Sequence, residues 1–302
     1  MQTQNQKVNL SILNDKGITF FIKREDLIHP LISGNKYRKL KYNILAAKAA
    51  KQDTLLTFGG AYSNHIAAVA YAGKQEGIST IGVIRGEELK DKWQKNATLL
   101  LARAHGMEFK FVSREVYRNK DAPEFKTELE KEFGHFYMLP EGGTNALAVE
   151  GCQEIITDED ASFNVITSAV GTGGTIAGII NASNNTQRVI GFPALKGGFL
   201  QEDICKFTNK RNWELQNEYH FGGYGKVSPE LIQFINDFKI KTNIPLDPVY
   251  TGKMIFGLME MIQEDCFESG TKILAIHTGG LQGIAGMNAL LKKKKQPMLV
   301  IE

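Results

Sequence analysis

One lysine stands where its chemistry would be unusual. The segment Ser33-Gly34-Asn35-Lys36-Tyr37-Arg38-Lys39-Leu40 puts Lys36 just after a glycine turn. Apolar residues then recur at Tyr37, Leu40, Ile44 and Ala47, the spacing of one helix face. Lys36 therefore falls in the first helical turn, where the macrodipole disfavours a cation. Arg38, Lys39 and Lys41 add like charge nearby. Both effects favour the neutral amine, the form that attacks an aldehyde to make a Schiff base. The plainer alternative is a solvated lysine on a basic helix. Choosing between them requires an anion site and polar ring contacts elsewhere in the chain.

An anion site is offered by Gly171-Thr172-Gly173-Gly174-Thr175, between an apolar strand and a helix. Glycines let backbone N–H groups wrap an anion, and the helix start adds partial positive charge. Ile176 occupies the third glycine position of a dinucleotide fingerprint, which weakens a nicotinamide oxidoreductase reading. No Gly-Lys-Ser/Thr follows, so the loop is not a Walker loop. Its lack of lysine and arginine suits a monophosphate held by neutral dipoles. A bare strand-to-helix turn is the alternative.

Three further clusters also follow the ends of elements. Ser63-Asn64-His65 comes after Gly59-Gly60-Ala61-Tyr62. Ser63 is a natural helix cap, and also a candidate nucleophile or carboxylate binder. The esterase elbow is excluded, because Ala61 and His65 stand where it needs glycine. Asn64 could donate to an oxygen on a bound ring, and His65 is either a satisfied core histidine or a site residue. Tyr250 and Tyr224 sit beside glycines in connecting segments. Thr278, in His277-Thr278-Gly279-Gly280, could reach a ring nitrogen at a strand end.

Stepping outward, strand-like and helix-like runs alternate. Thr54–Phe58, Thr80–Ile84, Phe109–Val112, Phe136–Leu139, Phe163–Ala169, Arg188–Phe192 and Ile273–His277 read as strands separated by helices. This order, with continuous apolar strands, predicts an α/β fold of parallel sheet covered on both faces. Ligands in such folds bind beyond the carboxyl ends of the strands.

The chain has 302 residues, 42% hydrophobic and 23% charged, with a formal charge of +3. No basic arm with interleaved aromatics points to nucleic acid. No apolar run reaches membrane-spanning length, and the polar N-terminus lacks a secretory core. Three scattered cysteines, Cys152, Cys205 and Cys266, suggest a reducing compartment and small buried hydrophobes. No histidine pattern supports a metal site. The lysine run 292–295 reads as a solvated helix end.

Taken jointly, these clusters resemble the pyridoxal-phosphate enzymes of the tryptophan synthase β-like fold. More narrowly, the chain is similar to the 1-aminocyclopropane-1-carboxylate deaminases and D-cysteine desulfhydrases. Phe21-Ile22-Lys23-Arg24-Glu25-Asp26, Gly34-Asn35-Lys36, Gly59-Gly60, Ser63-Asn64, Gly142-Gly143, the 171–175 loop, Tyr250 and Thr278-Gly279-Gly280 carry the likeness.

The resemblance implies two lobes, each a mostly parallel twisted sheet under helices, with pyridoxal phosphate in the cleft. Residues 1–38 plus 147–302 would form the larger lobe and 39–146 the smaller. It implies Lys36 as the Schiff-base lysine and proton shuttle, Asn64 at the phenolic oxygen and Gly171–Thr175 as the phosphate cup. Ser63, Asn64 and His65 would meet the substrate, and Tyr250 or Tyr224 would act as acid or base. A cytoplasmic homodimer acting on a small amino acid is the accompanying expectation.

Two departures bear on the substrate. His65 stands where the cyclopropane deaminases carry glutamine, and Thr251 where they carry a glutamate facing the pyridine nitrogen. A neutral Thr251 and Thr278 weaken the electron sink. That favours β-elimination from D-cysteine over opening a cyclopropane ring. A binding module that kept the fold without catalysis is the alternative from another class.

Overall fold

The continuous apolar runs form two separate sheets. The structure, a computed structural model, describes residues 2–32 and 34–300. Ser33 of the lysine segment lies outside them. The strands are β1 (Asn5–Val8), β2 (Thr19–Lys23), β3 (Thr54–Gly59), β4 (Ser79–Arg85), β5 (Glu108–Val112), β6 (Tyr137–Leu139), β7 (Val165–Val170), β8 (Arg188–Pro193), β9 (Trp213–Leu215) and β10 (Lys272–Ile276). One sheet has the order β1-β2-β10-β7-β8-β9 and the other β5-β4-β3-β6. Every pairing is parallel except β1 with β2, an antiparallel edge.

Helices on both faces explain why the central strands show no polar side. Along β7, Val165 and Ala169 enter one core while Ile166 and Val170 enter another. Along β10, Ile273 and Ala275 divide from Leu274 and Ile276 in the same way. The second sheet repeats this, with Leu55 and Ile84 on one side and Leu56, Phe58, Ile81 and Val83 on the other. Period-2 geometry thus sorts a continuous apolar run into two cores. Each Val, Leu, Ile or Phe among them contributes about 1.5–3 kcal/mol by leaving water.

All strands of the smaller sheet fall between Thr54 and Leu139. The helix Asn35–Ala49 runs unbroken past position 38 and packs against the helix Ala146–Gln153. The contact is so close that a Cβ on Gly151 would lie 2.1 Å from the Arg38 carbonyl oxygen.

The charged segment Lys23-Arg24-Glu25-Asp26 is bound up in ion pairs, of which Glu25 with Arg38 seats this helix. Lys23 pairs with Asp160, both buried. Glu25 accepts from Arg38 Nε at 3.0 Å and Nη2 at 2.9 Å. Arg24 bridges to Asp26 at 2.7 Å. Removing one member of such a buried pair strands the other, at a cost of about 3–5 kcal/mol.

Only one cysteine matches the expectation of burial. Cys152 is buried, whereas Cys205 and Cys266 are exposed, since they lie at or beyond helix ends rather than in a packed face. The lysines at 292–295 are exposed, as expected. No helix among the described residues is long and apolar enough to cross a membrane.

Candidate active site

Gly34 and Asn35 bring Lys36 to the strand ends. Gly34 caps the lysine helix with φ at 44°, a conformation that suits glycine. A Cβ there would meet the Thr278 carbonyl oxygen at 2.1 Å. The Asn35 N–H donates to that same carbonyl at 3.2 Å. The lysine helix therefore starts against the carboxyl end of β10. The Asn35 side chain donates to Thr175 Oγ1 at 2.7 Å, fastening it to the glycine loop after β7 as well.

Lys36 opens into a cavity of about 530 Å³ at the carboxyl ends of β3, β7 and β10. Its pKa is pushed down to about 7, first by burial and then by Lys39. Like-charge crowding was expected from three residues, but only Lys39 supplies it. Arg38 turns to Glu25, and Lys41 pairs with Glu154 at 2.5 Å.

Lys39 also corrects the expectation of a cradle without cations. It lies one turn beyond Lys36, buried, and donates to Gly142 O at 3.0 Å and Thr144 Oγ1 at 2.9 Å. Thr172 Oγ1 is 3.5 Å away. Burial lowers its pKa to about 8. The i, i+3 spacing was the available signal, since it places both lysines on one helix face.

The loop after β7 turns at Gly173, with φ at 80°, into the helix Gly174–Ala182, whose first turn has no side-chain cap. Its first N–H groups are therefore open to a ligand. Gly171, Thr172, Gly173 and Thr175 line the cavity. Gly174 does not. A Cβ there would press on Thr144 at 2.8 Å, so its smallness serves packing.

From the other sheet, β3 leads into the helix Asn64–Glu76. Ser63 caps it, accepting from the Ile66 N–H at 3.4 Å, and lines the cavity with Asn64 and His65. Asn64 reaches across to Gly280, where a Cβ would lie 3.3 Å from its amide nitrogen. His65 is buried, and its Nε2 lies 2.9 Å from Thr57 Oγ1. That hydroxyl donates its one proton to Leu139 O, which assigns the imidazole proton to Nε2. Nδ1 then presents a lone pair and has no partner. Burial and the two lysines hold the ring neutral.

Tyr250 precedes the helix Thr251–Gln263 and meets Tyr224 edge-on, ring centres 6.1 Å apart. Both line the cavity, with Tyr224 at its mouth, 48% exposed. Burial, Tyr224 and Asp247 raise the Tyr250 pKa well above the usual range, so it holds its proton at neutral pH. Lys253 donates to His220 O at 2.8 Å and Gly223 O at 2.9 Å, tying down the Tyr224 segment.

Thr278 lines the cavity, but Thr251 does not. Thr251 instead donates to Asp247 Oδ1 at 2.7 Å, completing a cap in which Asp247 also accepts from the N–H groups of Val249, Tyr250 and Thr251. The neutral contact available to a ring is thus Thr278.

Sequence reasoning brought Lys36, Ser63, Asn64, His65, Gly171, Thr172, Gly173, Thr175, Tyr224, Tyr250 and Thr278 into one cavity. It missed Lys39, Arg85 and Glu141, which also line it.

Residues 3–279 match the profile of the family described as pyridoxal-phosphate dependent enzyme. The chain belongs to that family. A Pyrococcus horikoshii protein described as a candidate 1-aminocyclopropane-1-carboxylate deaminase is 34% identical, over 90% of this chain and 88% of its own. An Arabidopsis thaliana mitochondrial protein, named as a bifunctional D-cysteine desulfhydrase and 1-aminocyclopropane-1-carboxylate deaminase, is 32% identical over 89% of this chain and 74% of its own. A crystal structure of a 1-aminocyclopropane-1-carboxylate deaminase homologue superposes with a TM-score of 0.82 at 32% identity, covering 96% of this chain and 94% of that one. A hydrogen sulfide-producing enzyme from Fusobacterium nucleatum shares the fold, with a TM-score of 0.66 at 16% identity over 92% of this chain and 94% of that one.

The cavity suits the family's pyridoxal phosphate on its own chemistry. It holds a desolvated amine for an aldehyde, an uncapped glycine turn beside a buried lysine for a phosphate, and an orphaned His65 acceptor. Among the described residues no metal-ligating cluster competes with this use.

Proposed function

We propose that this pyridoxal-phosphate enzyme is a deaminating lyase for a small amino acid, removing hydrogen sulfide from D-cysteine to leave pyruvate and ammonia. The observation that carries the reading is the Lys36 amine, lowered to about 7, opening into the same cavity as the uncapped 171–175 turn.

In this reading Lys36 holds the aldehyde. Gly171, Thr172, Gly173 and Thr175 hold the phosphate, with the charge of Lys39 behind them. Asn64 would hold the phenolic oxygen and Thr278 the ring nitrogen. The bound cofactor supplies an electron sink that makes a Cα–H acidic. Lys36, whose amine burial and Lys39 bring down to about 7, would take that proton on Nζ. Ser63 and the adjoining N–H groups at its helix start take the substrate carboxylate. Tyr250, protonated by its surroundings, gives its hydroxyl proton to the departing sulfur, and Tyr224 shields that end from water.

A second reading, deamination of 1-aminocyclopropane-1-carboxylate to 2-oxobutanoate and ammonia, rests on the names of the relatives. It is less favoured because the ring nitrogen would meet only the neutral Thr278. The discriminating assay scores both substrates. Pyruvate with sulfide from D-cysteine supports the first reading, and 2-oxobutanoate supports the second.

Three organisational expectations belong with this reading. They are lobes of 1–38 plus 147–302 and 39–146, a homodimer, and a cytoplasmic setting. All strands of the smaller sheet lying between Thr54 and Leu139 supports the lobe division, and sedimentation velocity tests the dimer.

A further inference from the structure

The outer end of the cavity is unlike a pocket built only for a small neutral amino acid. Arg85 closes β4 and lines the cavity opposite the glycine loop. It also lines an adjoining vestibule of about 520 Å³ that shares Gly60, Ala61 and Tyr62 with the main cavity. Three arginines face this vestibule, Arg85, Arg114 and Arg118, against one glutamate, Glu88. Glu88 is held by Arg114 at 2.5 Å. Arg85 makes no ion pair with any described residue. Its guanidinium rests over the Tyr117 ring, 5.5 Å from the centroid, which orients the fork without neutralising it.

Two neighbours sharpen this. Tyr117 lines the vestibule, is 3% exposed, and its buried hydroxyl has no hydrogen-bond partner. Burial raises that hydroxyl's pKa first, and the Glu141 carboxylate close beside it raises it further. Glu141 is the acidic residue lining the main cavity, and Lys120 answers it at 3.3 Å. A guanidinium without an ion-pair partner, steadied on the Tyr117 ring, therefore stands at one mouth and suits an anion.

Resting on the deaminase reading and deepening it, we propose that Arg85 and Tyr117 form a subsite for an anionic substrate side chain. The substrate class is an amino acid whose side chain ends in a carboxylate, sulfonate, phosphate or thiolate, of which cysteine is the smallest. Arg85 is a specificity residue that touches the distal group while the amino and carboxylate ends sit at Lys36 and Ser63.

The test is calorimetry on the cofactor-loaded enzyme with each enantiomer of alanine, aspartate and 2-amino-3-phosphonopropanoate. The proposal expects at least one anionic ligand to bind about tenfold or more tighter than alanine at low salt, with the preference shrinking as salt rises. Arg85→Gln should bring the ratio to within about twofold of unity, and Arg85→Lys should restore part of it. An unchanged ratio in Arg85→Gln, or alanine binding as tightly as both anions in the unaltered enzyme, overturns the proposal. Keto-acid release from D-cysteine is measured alongside. Its absence would defeat the lyase reading, while the binding ratio still decides the subsite.

Discussion

Asn35 donates from its side-chain amide to Thr175 Oγ1 at 2.7 Å, so the residue before the lysine is bonded to the turn after β7. That single contact spans 140 positions of sequence and sets the reach between an amine and an anion site. Replacing Asn35 with Ala should weaken cofactor retention more than stability. A net hydrogen bond is worth about 1 kcal/mol, so a fivefold or greater rise in the pyridoxal phosphate Kd is expected, read by equilibrium dialysis.

Lys39 should act on Lys36 at a distance. Burial and the Lys39 charge together hold Lys36 near 7. Lys39→Met removes the charge, so the Lys36 midpoint should move to higher pH. The measurement is the pH dependence of amine labelling on cofactor-free protein, followed at the Lys36 peptide. The same variant should bind inorganic phosphate at least tenfold more weakly.

Both lysines make the cofactor-free protein sensitive to pH. Their folded pKa values, about 7 and about 8, lie below the ordinary 10.5. Between those values and 10.5 the unfolded chain therefore binds more protons than the folded one. Stability should rise with pH from about 7 towards 10, at about 1.4 kcal/mol per pH unit for each group in that window. Thermal melts should show the rise, and Lys36→Met with Lys39→Met should reduce it, leaving the share of Lys253, whose pKa burial also lowers to about 8. A melting temperature that falls across this range in the unaltered protein would contradict the assignment.

Tyr250→Phe should depend on the leaving group. Loss of a general acid costs roughly 10²–10⁴-fold in rate. The loss should be large for D-cysteine and small for β-chloroalanine, whose chloride departs without a proton. Equal losses with both substrates would make Tyr250 a packing residue instead.

Lys253 supports this end of the site from behind. Its contact with Gly223 O is buried and that with His220 O partly so, and Lys253→Met should destabilise by about 1–3 kcal/mol and loosen the segment 217–225. Limited proteolysis should then cut within that segment, and KM should rise more than kcat falls.

The central strands were legible because helices cover both faces of the sheets. Runs such as Val165–Val170 carry only apolar and small hydroxyl side chains, all buried, and sit between turn residues. β1, with the polar sequence Asn-Gln-Lys-Val, and the three-residue β9 gave no such signal, since their pairing depends on partners elsewhere in the chain. Lys36, Ser63 and the 171–175 loop were legible because strand ends and glycines mark them locally. Lys39 was not, because its partners Gly142 and Thr144 lie more than a hundred residues away. Position 251 reads in the sequence as a ring contact, yet Asp247, four residues earlier, captures the Thr251 hydroxyl. Arg38 is close to Lys36 in sequence, yet the carboxylate of Glu25 draws it away.

The attachment at Lys36 is tested most directly by covalent trapping. Protein incubated with pyridoxal phosphate is reduced with borohydride, digested and mapped by mass spectrometry. The expected result is one phosphopyridoxyl group, on the peptide bearing Lys36, and none in Lys36→Ala. A label on Lys39 or on a surface lysine, with Lys36 unmodified, would contradict the central claim.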